Sequence, residues 1–289
     1  VPFADINDAS IYYETHGEGE CLLFAHGGDG THLGWWRQAY FFRNYYKCLI
    51  YDMRGLGQST GAVNYEEGWR DLLGLMDHLE IENAHINGWS AGEWTVSKIA
   101  QDHPERVRSL IMTDAPFGFF TPALSKWSQG MIDQLTGGST IRGMAGGAYF
   151  ADHYPKDVFL SGLLGRLNEH NRPASSEEAL QDYGKAYREW RDAEPGDYSD
   201  FPVPSLFVVG ETDGLTVPWL MRGTAERVRG AKLAVIPRAG HGTPREQTEI
   251  YNALLLEFLQ TVDQQRRDPT YVPPKWSLVE YFHGLSGIA

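Results

Sequence analysis

Along the chain, short uninterrupted apolar runs alternate with stretches whose apolar positions recur every three or four residues. Cys21-Leu22-Leu23-Phe24-Ala25 and Cys48-Leu49-Ile50-Tyr51 are runs of the first kind, and the short stretches Ala84 to Asn87, Val107 to Thr113, Ser205 to Val209 and Lys232 to Ile236, apolar but for a few polar letters, read as strands beside them. Without polar alternation, such runs predict strands covered on both faces. Between them, Trp36, Ala39, Tyr40 and Arg43 mark one helix. Trp69, Leu72, Leu73, Met76 and Leu79 mark a second, with Asp71, Asp77 and Glu80 turned elsewhere. A third runs from Gly92 to about His103, where Pro104 stops it. Further helices are expected around Trp219 to Val228 and from about Pro244 to Gln260, the latter burying Ile250, Ala253, Leu254 and Phe258. Strand and helix in regular alternation imply an α/β fold, a mostly parallel sheet flanked by helices. Val1 to Tyr13 reads as a hairpin interrupted at Ile6-Asn7-Asp8-Ala9-Ser10, which completes a sheet of eight strands.

From Pro116 to about Asp200 the alternation stops. Gly137-Gly138, Gly143, Gly146-Gly147 and many aromatics replace strand signals, and Glu177 to Trp190 is plainly helical. The chain therefore divides into a core of residues 1–115 and 201–262, a mainly helical insertion of residues 116–200, and a C-terminal extension of residues 263–289. Two prolines at Pro273 and Pro274 oppose regular structure in that extension, yet Trp276, Leu278, Tyr281 and Phe282 should not stay wet. It is expected to pack on its own core or on a second subunit, making a homo-oligomer one outcome.

At 289 residues, 42% hydrophobic and 22% charged, the chain can bury a real core. A net charge of −13 repels phosphate backbones and anionic lipid, which argues against nucleic acid and membrane surfaces as partners. No apolar run is long enough to span a bilayer. No secretory-type segment opens the chain at Val1, so a cytoplasmic protein is expected, although removal of a leader would leave the same letters. Cys21 and Cys48 each fall at the start of a strand and read as buried thiols, with a single bridge between neighbouring strands as the alternative.

The stretch with the sharpest chemistry is Gly88-Trp89-Ser90-Ala91-Gly92, between a buried strand and a helix. A strand reversing directly into a helix needs residues without bulk on either side of the turn. Ser90 at the apex is then held strained and exposed above a helix N-terminus, where developing negative charge is favoured. Other polar turns close the remaining strands: His26-Gly27-Gly28, Asp52-Met53-Arg54-Gly55-Leu56-Gly57-Gln58-Ser59, Gly210-Glu211-Thr212-Asp213 and Gly240-His241-Gly242.

With these turns in this order, the sequence resembles the α/β-hydrolase superfamily, and within it the lidded serine hydrolases that include enol-lactonases and small-ester esterases. The resemblance extends from the start of the chain to about Gln260. It implies the α/β-hydrolase fold with residues 116–200 as a lid, and Ser90, Asp213 and His241 as a catalytic triad. His241 would accept the Ser90 proton, and Asp213 would hold the imidazole tautomer. The resemblance assigns the oxyanion donors to the backbone N–H groups of Gly28 and Ala91 and makes Arg54 a structural residue. Asp114, after the strand ending in Thr113, is the rival for the acid. Trp89, Trp35, Trp36 and Phe117 are candidates for substrate contact, with Phe119, Phe120, Trp127, Tyr149 and Phe150 as further lid aromatics.

The expected activity is cofactor-independent cleavage of a carboxylic ester or lactone through an acyl-enzyme. Carbon–carbon bond hydrolysis, acyl transfer or perhydrolysis on the same triad are alternatives, as is a catalytically silent ligand-binding homologue. His26, Asp29 and His32 lack the further ligands a metal site needs, so no metal is expected and His26 reads as a loop-packing residue. Glu93, where relatives have a small residue, reads as a helix N-terminal charge; pointing inward, it would bias the pocket toward polar or cationic substrates.

Overall fold

A computed structural model describes residues 2–28, 30–65, 67–138, 185, 187–274 and 278–285. The chain begins with an antiparallel hairpin, β1 (Phe3–Ile6) and β2 (Ala9–His16). Asn7 and Asp8 turn it with φ of 48° and 64°, the left-handed pair that a two-residue hairpin demands. Alternation then proceeds through β3 (Cys21–Ala25), α1 (Trp36–Phe42), β4 (Lys47–Tyr51), α2 (Gly68–His78), β5 (Ala84–Trp89), α3 (Gly92–Asp102) and β6 (Val107–Thr113). After α4 (Pro122–Thr136) come β7 (Ser205–Gly210), α5 (Pro218–Ala225), β8 (Lys232–Ile236), α6 (Thr243–Glu246), α7 (Thr248–Arg267) and α8 (Leu278–Leu285).

The eight strands lie in the order β1-β2-β4-β3-β5-β6-β7-β8. β2 runs antiparallel to β4, and every pairing from β4 to β8 is parallel. Successive residues of a strand face opposite layers, so the apolar runs fill two cores at once. Leu23, Ile86, Met112 and Phe207 pack toward α2, α3 and α5, while Leu22, Phe24, Ile111 and Leu206 pack toward α1 and α7. Full burial of such side chains stabilises the fold by about 1.5–3 kcal/mol each. Cys21 and Cys48 belong to these opposite layers and are free thiols, which burial pushes up to about 12. The bridge considered from sequence is therefore not formed.

Chain order places the site. From β3 the chain moves outward to β4 and then crosses back to β5 on the other side of β3. The crevice at the carboxyl ends of β3 and β5 is thus a topological switch point, where open α/β sheets bind ligands.

Two boundaries differ from the pattern. The predicted helix from Pro244 to Gln260 is broken at Gln247, with φ −128° and ψ 52°, and then runs on to Arg267. The break follows from Glu246, whose carboxylate accepts the N–H groups of Gly240 and Gly242 at 2.8 and 3.0 Å and so ends α6 on the preceding loop. The extension follows from Leu259, Val262 and Asp263, all buried. Asp263 accepts hydrogen bonds from Tyr46, His85 and Arg108 at 3.0 to 3.1 Å, anchoring the last turns beneath the sheet. Burial alone would raise its carboxyl, but His85 and Arg108 outweigh that and hold it at about 2.

In the C-terminal extension, α8 lies against β8 and α7, burying Val279 and Phe282. Glu257 caps it by accepting the N–H groups of Leu278 and Val279, and Leu233 of β8 donates its N–H to Nδ1 of His283. Trp276 lies outside the described residues, as do Gly143, Gly146, Gly147, Tyr149 and Phe150 of the insertion and most of the helix expected from Glu177. Residues 187–192 are helical. The described parts of the insertion form a third apolar cluster: Phe117, Leu124, Trp127, Tyr187 and Trp190 pack on Leu215 and Leu220. No helix among the described residues is long and apolar enough to cross a membrane.

Candidate active site

Ser90 follows the last residue of β5 and precedes α3, with φ of 52°. The strain of a left-handed non-glycine residue is held by Ser90 N–H donating to Thr113 O and Glu93 N–H donating to Ser90 O, each at 2.9 Å. The flanking glycines are required by contact. A Cβ on Gly88 would stand 2.8 Å from Glu93 N, and one on Gly92 would stand 2.4 Å from Ala25 O and 2.6 Å from His26 O. Gly92→Ala is therefore expected to lower stability by about 3 kcal/mol, because backbone must move. Gly130→Ala, on α4 with no neighbour near the added methyl, should be neutral or slightly stabilising. Thermal unfolding of the two variants checks the contrast.

Three segments meet at Ser90. His241, in the loop after β8, places Nε2 2.9 Å from Ser90 Oγ and Nδ1 2.9 Å from Asp213 Oδ2. Asp213, in the loop after β7, is buried, and its other oxygen accepts the N–H groups of Leu215 and Thr216 at 2.9 and 2.8 Å. A carboxylate facing Nδ1 fixes the proton there and leaves the Nε2 lone pair for the serine hydroxyl. Burial disfavours the imidazolium, but the charge and hydrogen bond of Asp213, with the charges of Asp114 and Glu246, outweigh it and hold His241 above its ordinary 6.5.

The turn after β3 lies beside this relay, since a Cβ on Gly27 would stand 3.5 Å from that of Ser90. Gly28, in this turn, is held through its carbonyl by the Tyr65 hydroxyl at 2.6 Å, and Ala91 sits at the N-cap of α3. His26 is fully buried beneath the turn; its Nε2 accepts Met53 N–H at 3.0 Å, leaving Nδ1 to donate to Gly27 O at 2.7 Å. Burial lowers its basicity despite the charge of Asp52, so it stays a neutral packing residue. His32 contacts Asp52 at 2.7 Å. Arg54 makes a two-pronged contact with buried Asp71, both nitrogens at 2.7 Å, as a structural arginine would. Among the described residues, no group of three or more His, Cys, Asp or Glu side chains could hold a metal ion.

Asp114 does not touch His241. It is fully buried, and its carboxylate accepts from Trp89 Nε1 at 3.1 Å, Gly210 N–H at 3.3 Å, and the N–H and hydroxyl of Thr243 at 3.0 and 2.6 Å. Burial and the charge of Asp213 push it up to about 7, against the pull of His241 and Thr243.

Two expectations about individual side chains, those for Trp35 and Glu93, need correction. Trp35, a candidate for substrate contact, is fully buried against Phe24, Trp89 and Tyr251, with ring centroids 4.9, 6.1 and 6.4 Å away. Its neighbour Trp36, a further candidate, is 42% exposed beside the Arg37 guanidinium. The chain enters α1 between them, and each helical step rotates the side chain by about 100°. Glu93 is no surface charge: it is fully buried, and its Oε1 accepts Ala115 N–H at 2.9 Å. Burial pushes this carboxyl well above the usual carboxylate range, and its Oε2 finds no hydrogen-bonding partner among the described residues.

Of the remaining candidates, Trp89 packs on Trp35 under the Arg245 guanidinium and donates its indole N–H to His241 O at 3.0 Å. Phe117 stacks on Trp190 at 4.3 Å. Glu246, which holds Gly240 and Gly242 on either side of His241, escaped sequence analysis; a Gly-His-Gly loop with a carboxylate four residues after its second glycine is the signal that could have found it.

A profile of the alpha/beta hydrolase family matches residues 22–254. The chain belongs to this family. Relatives of this alpha/beta hydrolase include the provisionally named carbamate hydrolase RutD of Azorhizobium caulinodans, 25% identical over 91% of the chain and 100% of the relative. A 2-hydroxy-6-oxononadienedioate/2-hydroxy-6-oxononatrienedioate hydrolase of Pseudomonas putida is 26% identical over 88% of the chain and 92% of its own. Among solved structures, the enol-lactonase of Burkholderia xenovorans LB400 superposes with a TM-score of 0.67 at 21% identity, covering 90% of the chain and all of that enzyme.

Proposed function

We propose that this alpha/beta hydrolase is a serine hydrolase that cleaves a carboxylic ester or lactone through an acyl-enzyme on Ser90. The observation that carries the proposal is the unbroken line from Asp213 Oδ2 through both imidazole nitrogens of His241 to Ser90 Oγ, each contact 2.9 Å, ending on a strained turn. An unassisted serine hydroxyl is a poor nucleophile near neutral pH. Here Oγ attacks the carbonyl carbon as its proton moves to Nε2, and Asp213 stabilises the imidazolium. The negative charge that develops on the carbonyl oxygen is taken by the N–H groups of Gly28 and Ala91, each such donor lowering the barrier by about 3 kcal/mol. When the tetrahedral intermediate collapses, Nε2 returns the proton to the departing alkoxide. Water then attacks the acyl-enzyme, giving a proton to Nε2; collapse of the second tetrahedral intermediate breaks the acyl–Oγ bond, Nε2 returns the proton to Ser90 Oγ, and the acid is released. In a lactone the departing oxygen stays tethered, so the product is a hydroxy acid.

The enol-lactonase neighbour supports the lactone form. A second reading, carbon–carbon bond hydrolysis, is favoured by the Pseudomonas putida relative. A panel of short-chain esters, lactones and vinylogous 1,5-diketones separates the two. Ester or lactone turnover that falls with Ser90→Ala supports the first, and turnover of the diketones alone overturns it.

The same geometry fixes the pH response. Nε2 accepts a proton only when the imidazole is neutral, so kcat/KM should fall as acid titrates His241. Because its carboxylate neighbours hold that value above 6.5, the acid limb should lie above 6.5. A pH–rate profile whose limb lies below 6.5 contradicts the expected electrostatics.

A further inference from the structure

The corner after β6 is bonded to every segment that carries a relay residue. Thr113 O accepts Ser90 N–H, Asp114 N–H donates to Val208 O, and Ala115 N–H donates to Glu93. Asp114 itself has φ of 63° and sends its side chain to three separate places. Trp89 immediately precedes Ser90, Gly210 lies three residues before Asp213, and Thr243 lies two residues after His241. A turn cap would bond to backbone within a few residues, but the partners of this side chain are 25, 96 and 129 positions away. A substitute triad acid would bond to His241 Nδ1, which Asp213 holds.

We infer that Asp114 is a positioning residue that fixes the loops of Ser90, Asp213 and His241 in register with one another. The inference rests on the serine-hydrolase reading of that relay. All four groups that meet the carboxylate are donors, so the ionised form suits the site and an amide does not. An asparagine would turn N–H groups toward at least one N–H or O–H and break the junction while keeping its shape. The relay spans three loops with two contacts of 2.9 Å, and a displacement of about 1 Å in such an array lowers the rate by about 100-fold. The junction is also electrostatically close to the reaction. Asp213, His241, Glu93 and Tyr251 surround Asp114, Glu246 acts on His241, and Arg245 covers Trp89. Loss of the Asp114 charge removes one of the carboxylates that favour the imidazolium.

The test uses the full chain as wild type, Ser90→Ala, Asp114→Asn and Thr243→Val, with an activated aryl ester and a fluorophosphonate as probes. For Asp114→Asn, kcat is expected to fall about 10- to 100-fold with little change in KM, and the acid limb of kcat/KM to move to lower pH. Thr243→Val keeps the charge and removes one donor, so a loss of about 3- to 10-fold with the limb in place is expected. Wild-type kcat in Asp114→Asn, or a loss with an unmoved acid limb, overturns the inference in favour of a purely structural side chain. Should Asp114→Asn not fold, Thr243→Val decides, and wild-type kcat there overturns it equally. The two proposals fail differently. A wild type that neither labelling nor ester turnover links to Ser90 removes the serine reading and this role with it. Labelling lost in Ser90→Ala, with kcat unchanged in Asp114→Asn and Thr243→Val, removes this role alone.

Discussion

Replacing Ser90 with alanine is expected to lower turnover of an activated ester by about 10^5- to 10^6-fold with the fold intact. The loss is large because the substitution deletes the atom that forms the covalent bond, and His241 and Asp213 have no second hydroxyl to activate within the relay. The fold should survive. Ser90 is only partly buried, and its backbone bonds to Thr113 and Glu93 do not involve the side chain. Serine already bears the cost of about 1–2 kcal/mol for the left-handed region, so alanine adds little to it. Comparing kcat and thermal unfolding of the variant with wild type checks both parts. An intact rate would show that chemistry occurs elsewhere.

Asp213→Asn should lower kcat by about 10^4-fold, again with the fold retained. The carboxylate that now faces Nδ1 can only accept, so the proton sits on Nδ1 and Nε2 is free to act as a base. An asparagine that turns its amide N–H toward Nδ1 reverses the tautomer. Nε2 then carries the proton, and Ser90 has no acceptor. Asp114 is not expected to rescue the variant despite being buried near the imidazole, because Trp89, Gly210 and Thr243 occupy its oxygens. The comparison therefore orders the two carboxylates: Asp213→Asn should lose about 10^4-fold, and Asp114→Asn at most about 100-fold. The reverse order in measured kcat would assign the acid to Asp114.

The parts of the molecule legible in its letters are those fixed by local chemistry. An apolar run such as Cys21 to Ala25 becomes a buried strand with the expected ends, because a strand covered on both faces favours apolar side chains at every position. Gly88 and Gly92 flank Ser90 because bulkier residues would strike the adjacent backbone, and that requirement is visible as a short motif. Arg54 was legible as a structural residue only through the family resemblance, and its partner Asp71 lies on α2.

What was not legible depends on where distant segments land. Glu93 has the sequence of an exposed helix-start charge, and only the approach of residues 113–117 buries it. Trp35 and Trp36 are adjacent letters with opposite fates, decided by the rotation of α1 against the sheet. α7 runs to Arg267, past the end expected at Gln260, and Asp263, a polar letter, lies in that extension. This residue is the anchor, held by Tyr46, His85 and Arg108 from three other places in the chain. Asp114 could be suspected as a rival acid, but its partners at 89, 210 and 243 meet only after the crossovers set β5 and β7 on either side of β6, with β8 beyond β7.

The most direct test of the central claim is to treat the wild-type chain with a fluorophosphonate and locate the adduct by intact-mass and peptide mass spectrometry. One adduct is expected per chain, on the peptide carrying Ser90, absent from Ser90→Ala and formed far more slowly in His241→Ala. An adduct on another residue, or ester turnover that persists in Ser90→Ala, would contradict the account.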